Sequence, residues 1–227
     1  MRKAFIHIIL LLFPALAAAQ YAFIKPELAI GTNQGVVLLS QVGFDPSVEQ
    51  SFTFNYTGGL TVRYIIQKHF GLQAELNFSR RGWSETSAET GERFNRTLDY
   101  LELPLISHIY FGNKNVRFFV NLGPKIRYMV HESATAPFSQ NAGIQQTKPI
   151  ENRFDYSIFG GLGIEFRTQK AGFFQLEARY DFGLGNIFNS RKQDYFSTSN
   201  NTGITVSVAY LFDVLKNKEV KPYSATW

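Results

Sequence analysis

Phe174-Gln175-Leu176-Glu177-Ala178-Arg179-Tyr180-Asp181-Phe182 decides how the rest of the chain is read. Apolar and polar residues alternate without a break. That is the period of a strand with two unlike faces, not the 3.6-residue period of a helix. Outward from it the pattern recurs. On the C-terminal side Ile204, Val206, Val208, Tyr210 and Phe212 oppose Gly203, Thr205, Ser207, Ala209 and Leu211. On the N-terminal side Tyr156, Ile158, Gly160, Leu162, Ile164 and Phe166 oppose Asp155, Ser157, Gly161, Gly163, Glu165 and Arg167.

Earlier segments repeat it. Between 116 and 130, Phe118, Val120, Leu122, Ile126 and Tyr128 face away from Arg117, Asn121, Lys125 and Arg127. Leu72 to Phe78 oppose Gln73 to Ser79, Tyr56 to Tyr64 oppose Asn55 to Arg63, and Leu28 and Ile30 oppose Glu27 and Ala29. The stretch 98–111 is the least regular, with Ile106 and Tyr110 on the same face as Glu102 and His108. Eight strands are predicted, most long enough for the ~9–11 tilted residues of a membrane-spanning strand. Short turns at 67–70, 112–115 and 168–172 alternate with long polar connections at 32–51, 84–95, 131–153 and 183–201. Hairpins with short turns at one end and long loops at the other are the pattern of an outer-membrane barrel.

Composition agrees. The 227 residues include no cysteine, which excludes a disulfide scaffold, a thiolate metal site and a cysteine nucleophile. Charged residues are only 18% while aromatics reach 15%, so much aromatic surface needs an apolar environment. A net charge of +5 without a basic block argues against nucleic-acid binding. Arg2 and Lys3, an apolar run to Leu16 and Ala17-Ala18-Ala19 form a signal peptide cleaved after Ala19, the run being shorter than the ~20 residues of a spanning helix. The expected organisation is a signal peptide at 1–19, a barrel at 20–212 and a periplasmic tail at 213–227. The mature chain would start and, after eight strands, end in the periplasm, leaving the long connections outside the cell.

Alternation alone fits a soluble barrel equally well, because exchanging the faces leaves the pattern unchanged. Three features favour lipid outside. The polar face carries Lys25, Arg63, Arg117, Lys125, Arg127, Arg167 and Arg179 against Glu27, Glu75, Glu102, Glu165, Glu177 and Asp181, a near-neutral set suited to a closed lumen. Aromatics gather near both strand ends: Tyr64, Phe118, Phe166, Phe174, Tyr210 and Phe212 at one, Tyr128, Tyr156, Tyr180 and Phe182 at the other. A closed barrel also leaves no backbone group unpaired in lipid. The expected fold is therefore all-β, an eight-stranded antiparallel up-and-down transmembrane β-barrel in the bacterial outer membrane. So few strands leave an interior just wide enough for side chains, which excludes a general porin.

Tyr100-Leu101-Glu102-Leu103-Pro104-Leu105 with His108-Ile109-Tyr110-Phe111-Gly112, Phe118-Phe119-Val120-Asn121-Leu122-Gly123-Pro124 and Gly71-Leu72-Gln73-Ala74-Glu75-Leu76-Asn77 together resemble the PorT family of outer-membrane β-barrels from the Bacteroidetes. Arg81-Gly82-Trp83, and Asp155-Tyr156 with Gly160-Gly161-Leu162-Gly163-Ile164-Glu165-Phe166, extend the likeness over nearly all of the mature chain. The resemblance implies a small barrel of the OmpA/OmpX type and, for some members, a part in type IX secretion and gliding. It brings no catalytic residues.

Chemistry-bearing motifs are sparse. His131-Glu132-Ser133 has the His-x-Ser spacing of outer-membrane lipid A deacylases, where histidine activates a serine nucleophile, but no acidic partner can be assigned. His69 and His108 lie on separate segments, so no metal site is expected. Gly160-Gly161-Leu162-Gly163 opens no helix and reads as lumen space, not a phosphate loop. The expectation is a non-enzymatic barrel without cofactor, having a structural, docking or accessory role. Its expected partners are outer-membrane lipid or lipopolysaccharide and, through the long loops or the tail, other outer-membrane or secretion proteins. A lipid hydrolase is the remote alternative.

Overall fold

The computed structural model describes residues 26–42, 50–51, 55–87, 90–139, 144–147, 149–168, 171–185 and 201–215. The expected signal peptide at 1–19, Lys25 and residues 216–227 of the expected tail lie outside them. Eight long strands follow in order: β1 (Glu27–Val42), β2 (Asn55–Gln67), β3 (Phe70–Thr86), β4 (Arg93–Gly112), β5 (Val116–Ala134), β6 (Phe154–Thr168), β7 (Gly172–Gly183) and β8 (Asn201–Asp213). Each pairs antiparallel with its neighbour in sequence, and β8 returns to pair with β1 from Ala29↔Asp213 to Val42↔Asn201. The sheet is thus a closed eight-stranded antiparallel barrel with no free edge, the arrangement an all-apolar surround requires. A two-residue strand, Gln50–Ser51, adds to the long-loop end of β3.

The three expected short turns are where the alternation stops. Lys68-His69 joins β2 to β3 with His69 at φ 73°, a conformation that a non-glycine residue adopts at a cost. At the β4–β5 turn the Asn113 side-chain oxygen accepts hydrogen bonds from the amides of Asn115 (2.9 Å) and Val116 (2.8 Å), a side-chain-closed turn. The long connections begin later than the alternation suggested. Residues 32–42, 84–86, 93–95 and 131–134, expected in loops, are strand. β1 keeps its ladder with β8 through a bulge near Leu38, and β5 keeps its ladder with β4 by bulging at Val130. A bulge shifts the register by one residue, which blurs the period without ending the strand.

Side chains sort by parity. Leu72, Leu76, Leu105, Leu122, Ile158, Leu162, Leu176 and Val208 are exposed on the outer wall. Between them, Gln73, Glu75, Asn121, Ser157, Gln175 and Glu177 are buried. The aromatics that the alternation put near the strand ends, among them Tyr64, Phe118, Phe174, Tyr128, Tyr156 and Tyr180, also point outward. The polar interior and apolar exterior reverse the usual arrangement of a soluble protein.

The walls differ in length. β4 and β5 run to 20 and 19 residues whereas β7 has 12, so β3, β4 and β5 project beyond the others at the long-loop end. That projection forms the mouth of the barrel.

Candidate functional site: a filled lumen under a covered mouth

Three groups of ion pairs fill the barrel. Nearest the short turns, Arg63 lies 2.5 Å from Glu165 and 3.2 Å from Glu27. Arg167 bridges the same two carboxylates at 2.8 and 2.6 Å. Arg117 stands at 3.8–4.0 Å from both, its guanidinium over the Tyr110 ring. Gln175 donates to Glu165 at 2.8 Å. Each guanidinium meets two carboxylates, so neither charge is left unpaired.

In the second group Arg179 holds both oxygens of Glu75 at 3.0 and 3.1 Å and adds Glu177 at 2.9 Å. Gln73 and Asn77 donate to the same Glu75 carboxylate, and Asn33 reaches from β1 to Asn77 and Thr61 at 2.9 Å each. The third group joins β3 to β7 through β5. Arg81 donates to Glu102 at 2.9 Å, Lys125 lies 2.6 Å from Asp181 and 3.4 Å from Glu102, and Arg127 meets Asp155 at 2.9 Å and Ser157 at 2.8 Å. A polar cavity of about 20 Å³ between Asn33, Thr57, Glu75, Arg179 and Thr205 has space for a single water.

All the residues singled out on the polar face except Lys25, which lies outside the described residues, therefore meet inside the barrel. Arg81, Asp155, Glu85, Asp99, Arg96 and His108 are equally buried but were not singled out. For Arg81 and Glu85 the sequence holds the signal: they continue the parity of Glu75, Asn77 and Ser79 past the last apolar-outward residue, Phe78. His108 accepts or donates at 2.8 Å with Asn121 and stacks on Tyr110, a lumen residue among aromatics.

Above the third group the interior changes character. Trp83, Phe94, Leu98, Tyr100 and Met129, from the projecting ends of β3, β4 and β5, form an apolar cluster closed from above by Ile150 and Phe138. Both closing residues belong to the connection 135–153, which holds a four-residue helix, Ile144–Thr147. Glu85 is the joint between wall and cover. It accepts the Trp83 indole N–H at 2.8 Å and the Gln146 side-chain N–H at 2.8 Å, while Gln146 in turn accepts the Phe138 amide at 3.0 Å. The long polar connection expected at 131–153 thus folds partly into the mouth, with Gln146 and Ile150 buried. Further out, the exposed Glu92 carboxylate accepts the Ser139 hydroxyl at 2.7 Å and its amide at 2.9 Å, fastening the β3–β4 connection to the same cover. These hydrogen bonds hold the Glu92 carboxyl below its ordinary value.

His131 and Ser133 lie on the outer rim of β5, opposite Asp99 and Thr97. No hydrogen bond joins them among the described residues, and the bulge beside His131 separates their faces from the interior. Asp99 is instead held by Arg80, at 2.7 and 3.0 Å. Among the described residues no three His, Asp or Glu side chains are grouped so as to hold a metal ion.

A family model described as an outer membrane protein β-barrel domain matches residues 19–189. Among solved structures, the outer membrane protein OprG from Pseudomonas aeruginosa matches with a TM-score of 0.51 at 10% identity, over 83% of this chain and 96% of that one. Neisserial surface protein A matches with a TM-score of 0.42 at 10% identity, over 83% and 99% of the two chains. Outer membrane protein W of E. coli matches with 0.42 at 15% identity, over 83% and 98%. Identities this low speak to the fold alone. Among curated proteins nothing matches the chain.

Proposed function

The chain belongs to the outer membrane protein β-barrel domain family, and from that premise we propose that it is a non-enzymatic barrel that carries no solute and acts as a structural, docking or accessory element. The observation that carries this reading is the filled interior. Arg63 and Arg179 each span the lumen to carboxylates on opposite strands, Arg127 ties β5 to Asp155 on the neighbouring β6, and the apolar cluster with its cover lies across the mouth. Opening a passage would leave several buried charges without partners, a cost of about 3–5 kcal/mol for each pair broken. With the wall given to lipid and the lumen filled, recognition falls to the surface of the covered mouth, where loops on a rigid scaffold commonly bind.

Reconstitution into planar bilayers tests the reading. The protein should give no steady open-channel current under conditions where a general porin conducts; a stable conductance from the wild-type chain would overturn it. In the proposed topology the signal peptide is removed after Ala19, the barrel spans 20–212, the long connections face outward and 213–227 lies in the periplasm. Cysteine at Ala136, on the mouth, should react with an impermeant thiol reagent on intact cells, and cysteine at Lys114, on a short turn, should not. The likeness to PorT proteins around 100–112 and 118–124 supports a narrower version, an accessory of the type IX secretion machinery. Co-purification of secretion components with the folded barrel would favour it.

A further inference from the structure

Midway along β4 the ladders on both flanks are interrupted within four residues. Pairing with β3 runs from Phe70↔Ile109 to Ala74↔Leu105 and resumes only at Asn77↔Glu102. Pairing with β5 runs from Gly112↔Arg117 to Ser107↔Leu122 and resumes at Pro104↔Lys125. Pro104 and Pro124 sit in these gaps, and neither has an N–H to donate. Gly123 lies beside them, where a Cβ would stand 1.8 Å from the Leu105 carbonyl oxygen, so the two backbones approach too closely for any larger residue.

Over the same gaps the outer wall is indented. An apolar groove of about 470 Å³ runs between Tyr64, Leu72 and Leu105, with Ala74 and Ser107 as its floor and Pro124 at one side. The walls are tall exposed side chains and the floor is short, so the depression follows from the residues themselves. A broken ladder weakens the wall where no water is present to replace the missing hydrogen bond, which makes it an unusual feature to keep on a lipid-facing surface.

We propose that this groove is a binding site for one acyl chain of a membrane lipid. The occupant follows from where the groove lies. It is continuous with the exposed apolar band, between Leu76 and Leu103 on one side and Leu122 on the other. No charged side chain lines it, so it recognises hydrocarbon and not a headgroup. Tyr64, in the aromatic belt of the short-turn end, bounds it, so the lipid belongs to the leaflet on that side. The proposal rests on the membrane placement above and deepens it from general solvation to a seated lipid.

Native mass spectrometry of the full chain, extracted from bilayers of phosphatidylethanolamine, tests it. The wild type should keep one phospholipid after the detergent is stripped. The double variant Ala74→Leu/Ser107→Leu, which fills the floor, should lower the retained fraction by about tenfold, the worth of roughly two methylene contacts. Val208→Leu, on the opposite wall, should leave retention unchanged and controls for general surface effects. Heat-dependent gel mobility reports that each variant is folded. Equal retention by wild type and the folded double variant, or no retained lipid in the wild type, overturns the proposal. So does a dimer that the double variant abolishes, which would assign the groove to a second copy of this chain. Absence of the wild type from outer-membrane fractions would instead refute the membrane placement itself.

Discussion

Below the row Phe78–Leu101–Tyr128–Phe154 the barrel carries its apolar side chains outward and its charges inward; above it, on the projecting ends of β3, β4 and β5, apolar side chains turn inward beside the buried Arg81, Glu85, Arg96 and Asp99, and the outward face is polar. In the lower region Leu72, Leu76, Leu103 and Ile126 are exposed while Glu75, Glu102, Lys125 and Arg127 are buried. In the upper region Trp83, Phe94, Leu98 and Met129 are buried, while Arg93, Asn95, His131 and Ser133 face out. β3 and β4 keep their parity through this row and only β5 shifts, at its Val130 bulge, so backbone geometry does not explain the change on β3 and β4. What changes is the solvent outside the wall. Lipid demands apolar outward residues and leaves the interior to paired charges; water accepts polar outward residues and lets apolar side chains cluster inside as well, here beside the buried Arg81, Glu85, Arg96 and Asp99. The row where polarity inverts therefore marks where the wall leaves the membrane.

The largest effect should come from removing the centre of the upper core. Trp83→Ala leaves a cavity beneath the cover and takes away the indole N–H that Glu85 accepts. The expected loss is about 3–5 kcal/mol of unfolding free energy in denaturant titrations. Phe174→Ala, a somewhat smaller aromatic deletion on the lipid-facing wall, opens no internal cavity and should cost clearly less. Equal losses would mean that the upper cluster is not a packed core and that the two regions do not differ as described.

This same inversion explains how much could be read from residues alone. The strands of the lower region were legible because strict alternation of apolar with polar residues fits a two-faced strand and not a helix, and the near-neutral set of charges then put the polar face inside. In the upper region the alternation persists, but with polar residues outward and apolar and charged residues mixed inward. Searching for apolar-outward strands therefore ended β3 at Ser79 and assigned 84–95 to a loop. Parity carried past Ser79 would have reached Arg81, Trp83 and Glu85. Pairing inside the lumen was not legible in the same way. Arg179 and Glu75 are 104 positions apart and Arg63 and Glu165 are 102 apart, and only closure of β8 on β1 brings such residues across from one another. Period 2 assigns a face; it does not assign a partner. Nor does it reveal that the connection 135–153 turns back into the mouth, since Phe138, Gln146 and Ile150 follow no period.

A smaller contrast separates the two outer surfaces. Leu176→Arg puts a charge on the lower wall, where Leu176 is exposed to lipid, and should cost roughly 2–4 kcal/mol, with slower assembly into bilayers. Ser133→Arg puts the same side chain on the upper wall, where the surroundings are aqueous, and should change stability by no more than about 0.5 kcal/mol. Urea titration in lipid vesicles compares them directly. If Ser133→Arg proved as costly as Leu176→Arg, the membrane would have to reach the rim, and the polarity inversion would need another cause.

The slightest effect, and the one that resolves the upper region most finely, is the Glu92–Ser139 contact. Glu92 lies at the surface, so global stability should not register its loss, but the fastening of the cover should. The Ser139 hydroxyl, and after it the Ser139 amide, stabilises the ionised carboxylate, and the folded-state pKa is therefore depressed. For a depressed carboxyl the contribution is fully present above the unfolded value, about 4.3, and is lost as pH falls through the lower folded value. The Ser139 amide resonance of the micelle-bound protein should thus hold its position from neutral pH down through 4.3 and move only below it. In Glu92→Ala the resonance should start at the released position and show no such step. A wild-type transition centred at or above 4.3 would mean that the carboxylate is not held, leaving the apolar cluster and the Glu85–Gln146 hydrogen bond to keep the mouth covered.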